Sequence, residues 1–420
     1  MRKTKMATVA FAALLAGLGS SVSAQSQADE LEELRARIDA LEAQQKQTEE
    51  VVRTRQVRPR FEVNQAAADA IGALEVSENI AGRSGAGRLA FNVGESTTVT
   101  VYGFARFEAF YDFDFAQGDL SRVGRVGEPA FETDGEFETS VRVSRFGIRS
   151  STSTDFGDIR TQLEFDLFSG SDTTTSPQLR LRQANIRIGD NWLVGQTWSN
   201  FMPLVHYPTT ADFNGPVGIT FARVPQIRYT FSSGGFTFSG ALEEASNGSS
   251  DPVVTAAALY EAENWSARIA GLTGTIDDAA TGDEFDTNGI TISGAVTPWA
   301  GGRFAATYTN GEGLGNLLIG GGDQVVGGIE NDVDGFTLEF RQEITEKLSV
   351  GIAYGNESYD LPTNTGTIDF TDLETVHLNA FYEPVDNLIL AVEYIYIERE
   401  SSTGVTEDAN RIGASVTFRF

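Results

Sequence analysis

From Val99 to the C-terminus the chain alternates apolar and polar residues with a period of two, the signature of strands with two unlike faces. In the first such stretch Val99, Val101, Ala105, Phe107, Ala109, Tyr111 and Phe113 share one face, opposite Thr100, Tyr102, Arg106, Glu108 and Asp112. Ile159, Leu163, Phe165 and Leu167 likewise oppose Arg160, Gln162, Glu164 and Asp166, and at the end of the chain Ile412, Val416, Phe418 and Phe420 oppose Arg411, Ser415, Thr417 and Arg419. Sixteen strands follow from this reading, near 98–114, 136–150, 157–168, 178–189, 191–199, 217–231, 235–243, 253–261, 265–274, 288–297, 303–310, 334–344, 347–359, 372–383, 387–398 and 409–420.

A water-soluble sandwich alternates too, with its apolar face as core. A membrane barrel turns the apolar face to lipid and the polar face to a lumen. The connections separate the two cases. Long ones (115–135, 169–177, 200–216, 244–252, 275–287, 311–333, 360–371, 399–408) take turns with tight ones near 151–155, 189–190, 232–234, 263–264, 298–302, 345–346 and 383–386. A sandwich has no reason to alternate loop length, whereas an outer-membrane barrel pairs external loops with periplasmic turns. The predicted fold is all-β: a 16-stranded antiparallel transmembrane barrel over 98–420, with both chain ends on the periplasmic side. Trp192, Trp198, Trp265, Trp299, Tyr359, Tyr382 and Tyr394 fall at strand ends and are expected in the interfacial girdles. The terminal Phe420 resembles the C-terminal signal by which Gram-negative outer-membrane proteins engage the barrel-assembly machinery.

Ahead of the barrel the pattern is different. Arg2, Lys3 and Lys5, the apolar run Ala7–Leu18 and the small residues Val22-Ser23-Ala24 read as a signal peptide over 1–24. In 25–52, Leu31, Leu34, Ile38 and Leu41 are spaced 3-4-3. With Leu31 at a and Leu34 at d, the g–e pairs Glu30 with Arg35 and Arg37 with Glu42 have opposite charge, which favours a parallel coiled coil. A helix this short is marginal alone, and Leu at both seam positions does not set the strand number. Residues 53–97 read as a linker.

Composition narrows the functions. The 420 residues carry a net charge of −28 with no Cys and two His, so thiol chemistry, a disulfide framework and multi-His metal centres are out. An isoelectric point near 4.4 argues against nucleic acid as a partner. No cofactor is expected. Two His in dissimilar settings provide no nucleophile–base constellation, which leaves a hydrolase without machinery.

Basic residues are unevenly placed. The first strands hold Arg106, Arg142, Arg145, Arg149, Arg160, Arg180, Arg182, Arg187, Arg223 and Arg228 and no Lys, while 231–420 has few Arg against many acids. Arginine facing lipid at mid-depth costs about 2–4 kcal/mol, so these side chains are expected inside. To keep them there the alternation must slip by one near Val143–Phe146 and Arg182–Ala184, as a β-bulge allows. The ten arginines then form a basic wall facing a more acidic one. Such a wall selects anions, and its guanidinium forks suit carboxylates. The plainer alternative is that they pair with Glu108, Glu138, Glu164 and Asp166 to hold the wall together. Segment 199–216, long and Pro-rich, is expected to fold into the lumen as a constriction; His206 within it suits a loop hydrogen bond. His377 alternates to the lumen side. The acids around Asp277–Asp286 lack the spacing of a calcium loop, and Gly320–Gly328 lacks the ending of a phosphate loop and reads as flexible.

A signal peptide, a short coiled coil and a barrel opening VYGFARFEAFYDF, then SRFGIRS, LRQANIRIG and LVGQTWSNFM, resembles the DcaP-like family of trimeric outer-membrane porins, most specifically over Val101–Phe231. The resemblance implies a homotrimer among outer-membrane lipids, a periplasmic coiled coil, and passive uptake of small anionic organics such as dicarboxylates. By the same analogy Arg145, Arg149, Arg180, Arg182 and Arg187 line the anion path. A general or cation-preferring porin and a plugged structural tether are the competing readings.

Overall fold

The computed structural model describes residues 89–170, 177–245, 249, 251–278, 281–364 and 368–420. The predicted signal peptide (1–24), the coiled coil with Leu31, Leu34, Ile38 and Leu41 (25–52), and the linker as far as residue 88 lie outside the described residues.

Sixteen antiparallel strands close into one barrel: β1 (Thr97–Asp112), β2 (Glu136–Ser140 and Arg145–Thr154), β3 (Gly157–Ser169), β4 (Gln178–Ile188), β5 (Trp192–Trp198), β6 (Arg223–Ser233), β7 (Phe236–Glu243), β8 (Val253–Glu261), β9 (Trp265–Asp277), β10 (Glu284–Trp299), β11 (Gly302–Glu312), β12 (Asp332–Glu343), β13 (Leu348–Asn364), β14 (Asp369–Val385), β15 (Leu388–Glu400) and β16 (Thr406–Arg419). Each strand pairs with its sequence neighbours, and β1 pairs with β16 to close the ring, Phe104 opposite Arg419 and Asp112 opposite Arg411. Beyond the end of β16 the seam is sealed by reciprocal bonds: Phe420 N–H donates to the Gly103 carbonyl and Gly103 N–H to that of Phe420, both at 3.0 Å.

The faces are inverted relative to a water-soluble protein. Phe107, Leu163, Ile292 and Val416 are 42–49% exposed on the outside, whereas Glu108, Asp112, Glu164 and Asp166 are at most 1% exposed within. Only a solvent without hydrogen-bonding capacity makes that arrangement favourable.

Both expected slips are present. Between Ser140 and Arg145 the strand breaks in a turn (Ser144 N–H to the Val141 carbonyl, 3.0 Å), leaving consecutive Arg142 and Val143 both buried. In β4 the register against β3 shifts between Glu164 and Phe165, so that Arg182 and Gln183 both face in.

Several boundaries differ from the sequence reading. The linker's last residues form a short strand, Leu89–Val93, paired with Thr97–Val101. The loops expected at 275–287 and 360–371 shrink to 278–283 and 365–368, because β9–β10 and β13–β14 continue as ribbons past the roughly ten residues a membrane requires. The strand expected from 217 begins at Arg223. Trp198 and Tyr359 are not girdle residues. They are 3% and 4% exposed and face inward, Trp198 against Phe221 and Tyr359 against Phe370. Trp192, Trp265, Trp299, Tyr382 and Tyr394 do face outward, 38–49% exposed.

Gly103 sits at the seam, where an added Cβ would collide with the Arg145 carbonyl oxygen and touch the Phe420 ring. Gly103→Val is therefore expected to slow or prevent closure, read as loss of the compact, heat-resistant band on a denaturing gel.

Candidate functional site: an inward loop against an arginine wall

Residues 199–222 leave the loop rim after β5 and fold down inside the barrel. Local chemistry permits this. Pro203, Pro208 and Pro216 have no N–H to satisfy, and Gly218 (φ +81°) lies so close to β12 and β13 that a Cβ there would collide with the Asn356 carbonyl.

Barrel carboxylates catch the loop's amides. Glu243 accepts from the Asn200 N–H and the Ser199 hydroxyl, both 2.6 Å; Glu339 accepts from Thr209 N–H at 2.8 Å. Glu393 accepts from Ala211 and Asp212 N–H (2.6 and 3.0 Å), and Glu357 from Gly218 and Gly320 N–H, both 3.0 Å. Arginines take the carbonyls: Arg228 reaches Trp198 O at 2.6 Å, Arg268 reaches Asn200 and Phe201, Arg303 reaches Val205, and Arg106 reaches Ala211. The acidic wall expected opposite the arginines is thus largely engaged in holding this loop. The glycine-rich segment expected to be flexible is drawn in by the same Glu357.

His206 does make loop hydrogen bonds. Its ring nitrogens lie 2.7 Å from Ser293 Oγ and 2.8 Å from Ser266 Oγ. Burial, with Arg303 and Arg268 nearby, pushes its imidazole down to about 3, so it remains neutral. His377 faces the lumen, with Nδ1 3.0 Å from Glu393.

The ten arginines fall into two groups. Arg142 bonds Asp119 (2.7 Å) and the Phe168 and Gly170 carbonyls; Arg182 bridges Glu164 (3.0 Å) and Asp166 (2.7 Å); Arg180 forks onto Asp166 (2.9 and 2.7 Å). Arg145 is 3.4 Å from Glu164, Arg106 2.7 Å from Glu108, and Arg160 3.2 Å from exposed Asp190. Arg228, beyond its loop contact, bonds Gln226 at 2.8 Å. Arg149, Arg187 and Arg223 have no carboxylate within 4.0 Å among the described residues. Arg149 lies over the Tyr102 ring (4.2 Å) and Arg223 over Trp198 (4.7 Å), while Arg187 stands among Arg228, Arg160 and Arg149. Arg160 and Arg187 are direct cross-strand partners, an arrangement that like charges disfavour unless an anion or water lies between them. These three side chains are partly exposed, as are Leu204, Asn214 and Phe221 on the loop.

Sequence reasoning left Arg268, Arg303 and the four anchoring glutamates unassigned. Their inward parity was readable, but their partners lie on a loop up to 182 residues away in sequence.

A closed sixteen-stranded barrel with a lipid-type exterior, an inward loop and a charged lumen defines an outer-membrane channel of the porin class, not an enzyme. Residues 21–235 match the DcaP outer membrane protein family, and the chain belongs to that family. Among solved structures, the fold is similar to the outer membrane channel DcaP of Acinetobacter baumannii: TM-score 0.71, 23% identity, 79% of this chain and 99% of that one. It is also similar to an anion-selective porin from Comamonas acidovorans (TM-score 0.55, 12% identity, 77% and 100%) and to a trimer form of OmpT from Vibrio cholerae (0.53, 14%, 78% and 100%). A search of curated protein sequences finds no significant match.

Proposed function

We propose that this porin passes small organic anions, dicarboxylates among them, by passive diffusion between the inward loop and the arginine wall. The observation that carries the reading is the set of inward arginines, Arg149, Arg187 and Arg223, that have no carboxylate within 4.0 Å among the described residues. A charge held in a lumen of low-dielectric walls raises the local concentration of opposite ions, and guanidinium forks match carboxylate geometry. Arg145, Arg160, Arg180 and Arg228, on the same stretch of wall, extend the path. Arg106, Arg142 and Arg182 serve it indirectly by fixing the wall and the loop. The anion selectivity of the similar Comamonas porin and the family's DcaP channel support this reading by analogy. The mature chain, freed of residues 1–24, works as a homotrimer whose coiled coil stands in the periplasm, with Phe420 presented to the assembly machinery during insertion.

The test is the reversal potential of the purified protein in planar bilayers under a salt gradient, with succinate added to one side. Anion preference together with block or permeation by succinate is the expected result. Cation preference would overturn the proposal in favour of a general porin, and absence of conductance would leave a structural tether.

A further inference from the structure

The connection between β1 and β2, expected as an ordinary external loop, is drawn down onto the lumen by side chains of the barrel. Arg411 on β16 reaches the Gly118 carbonyl, and Arg142, in the break of β2, bonds Asp119 at 2.7 Å. Arg399 on β15 bonds the carbonyls of Gly124 and Val126, at 2.8 and 2.9 Å, and stands 3.6 Å from Glu128. Glu128 also accepts from the Ile368 N–H at 2.7 Å. Between these polar grips Val123 and Val126, 4% and 0% exposed, enter an apolar cluster with the inward side chains Ile395, Ile397 and Ala409. Water does not reward an apolar side chain left at a channel mouth, so burial and grips act together to seat residues 113–135 as a strap.

The strap meets the inward loop at one carboxylate. Asp212 accepts from the Ser121 hydroxyl and N–H, at 2.8 and 3.1 Å. Within its own loop it accepts from the N–H groups of Asn214 and Gly215, at 2.9 and 3.3 Å. The Asn214 side-chain amide adds a bond to the Ser121 carbonyl at 3.3 Å. Asp212 is 4% exposed and forms no ion pair among the described residues, so donors from both loops stand in for a counter-ion. Lifting the strap would strip two donors from a buried carboxylate, which ties the place of one loop to that of the other.

We propose that residues 113–135 are a second element of the channel's filter, a strap that narrows the loop-rim mouth and, through Ser121 and Asp212, holds the inward loop at its working depth. Arg399 is a positioning residue in this account: it touches the strap's carbonyls and acts on the solute path through them. The valines seat the strap, and Asp212 transmits its position to residues 199–222. The inference rests on the channel reading above and adds a part to its path that the inward loop alone does not supply.

The test uses the full-length protein in liposomes and planar bilayers. Val123→Asn with Val126→Asn unseats the strap without changing the barrel wall, and Arg399→Gln releases it from the wall side. Both variants are expected to show higher single-channel conductance and to admit uncharged sugars that the parent excludes in swelling assays. The sign of the reversal potential should stay that of the parent, because Arg149, Arg187 and Arg223 are untouched. Combining Arg399→Gln with Asp212→Ala is expected to give less than the sum of the two single effects, since each loosens the same joined pair of loops. A parental size limit in both strap variants would overturn the strap as part of the filter, and strict additivity would overturn its coupling to the inward loop. The heat-resistant folded band certifies each barrel as native; should Arg399→Gln fail that check, the valine pair takes its place in both measurements. The anion reading is decided separately, by the reversal potential of the parent.

Discussion

Replacing Arg149, Arg187 and Arg223 together with glutamine is expected to abolish anion preference, moving the anion-to-cation permeability ratio by about tenfold or more. The size follows from Coulomb energies. A solute anion passing roughly 8 Å from one guanidinium gains about 0.5 kcal/mol at the permittivity of water and about 2 kcal/mol at an effective value of 20. Salt at 0.1 M screens over about 10 Å, so neighbouring charges still add. Three such contributions exceed the about 1.4 kcal/mol that corresponds to a factor of ten. The contrast is Arg142→Gln. Arg142 is 5% exposed and tied to Asp119 and two carbonyls, and its loss leaves buried Asp119 with Arg122 at 2.9 Å as its remaining arginine. A hydrogen bond to a charged group contributes about 1.5–3 kcal/mol, so a lower melting temperature is expected with selectivity nearly unchanged. Reversal potentials of the two variants decide the matter: a triple variant that retains the parent's potential removes these arginines from the path.

The second large effect is expected from the loop anchors. Glu357→Ala combined with Glu393→Ala removes the acceptors of four amides, those of Ala211, Asp212, Gly218 and Gly320. Hydrogen bonds to a charged group contribute about 1.5–3 kcal/mol each, so the docked state of 199–222 loses several kcal/mol of support. The barrel wall loses none of its backbone pairing. The expected outcome is a folded channel with higher and noisier conductance, entry of larger uncharged sugars in liposome-swelling assays, and weaker ion discrimination. An unchanged size limit would show that the loop is held by its packing, chiefly Phe201, Val217 and Leu318 in the apolar cluster inside the barrel, rather than by the carboxylates.

Strand number and the direction of most side chains were legible because lipid enforces them. A period of two, together with the alternation of long and tight connections, separates a membrane barrel from a sandwich over sixteen segments, and arginine's intolerance of hydrocarbon located both slips to within a residue or two. Trp198 and Tyr359 were misplaced for a specific reason. Proximity to a strand end says nothing about face: Tyr359 follows the inward parity of β13, whereas Trp198 shares the parity of outward Trp192 and Val194 and turns inward only at the end of β5, against Phe221. The excess length of β9–β10 and β13–β14 was hidden because a polar ribbon standing in water no longer has an apolar face. The inward loop was legible as an anomaly, a long proline-rich connection with too many apolar residues for an exposed loop. What holds it was not, since Glu393 and Ala211 meet only after the barrel has closed.

The reciprocal bonds between Gly103 and Phe420 let a residue just past β16 seal the first strand. Without β16 to pair with, β1 is an open edge, free to pair with other strands. Closure joins positions more than 300 residues apart, so it comes late, and until then two edges stay open to the wrong partners.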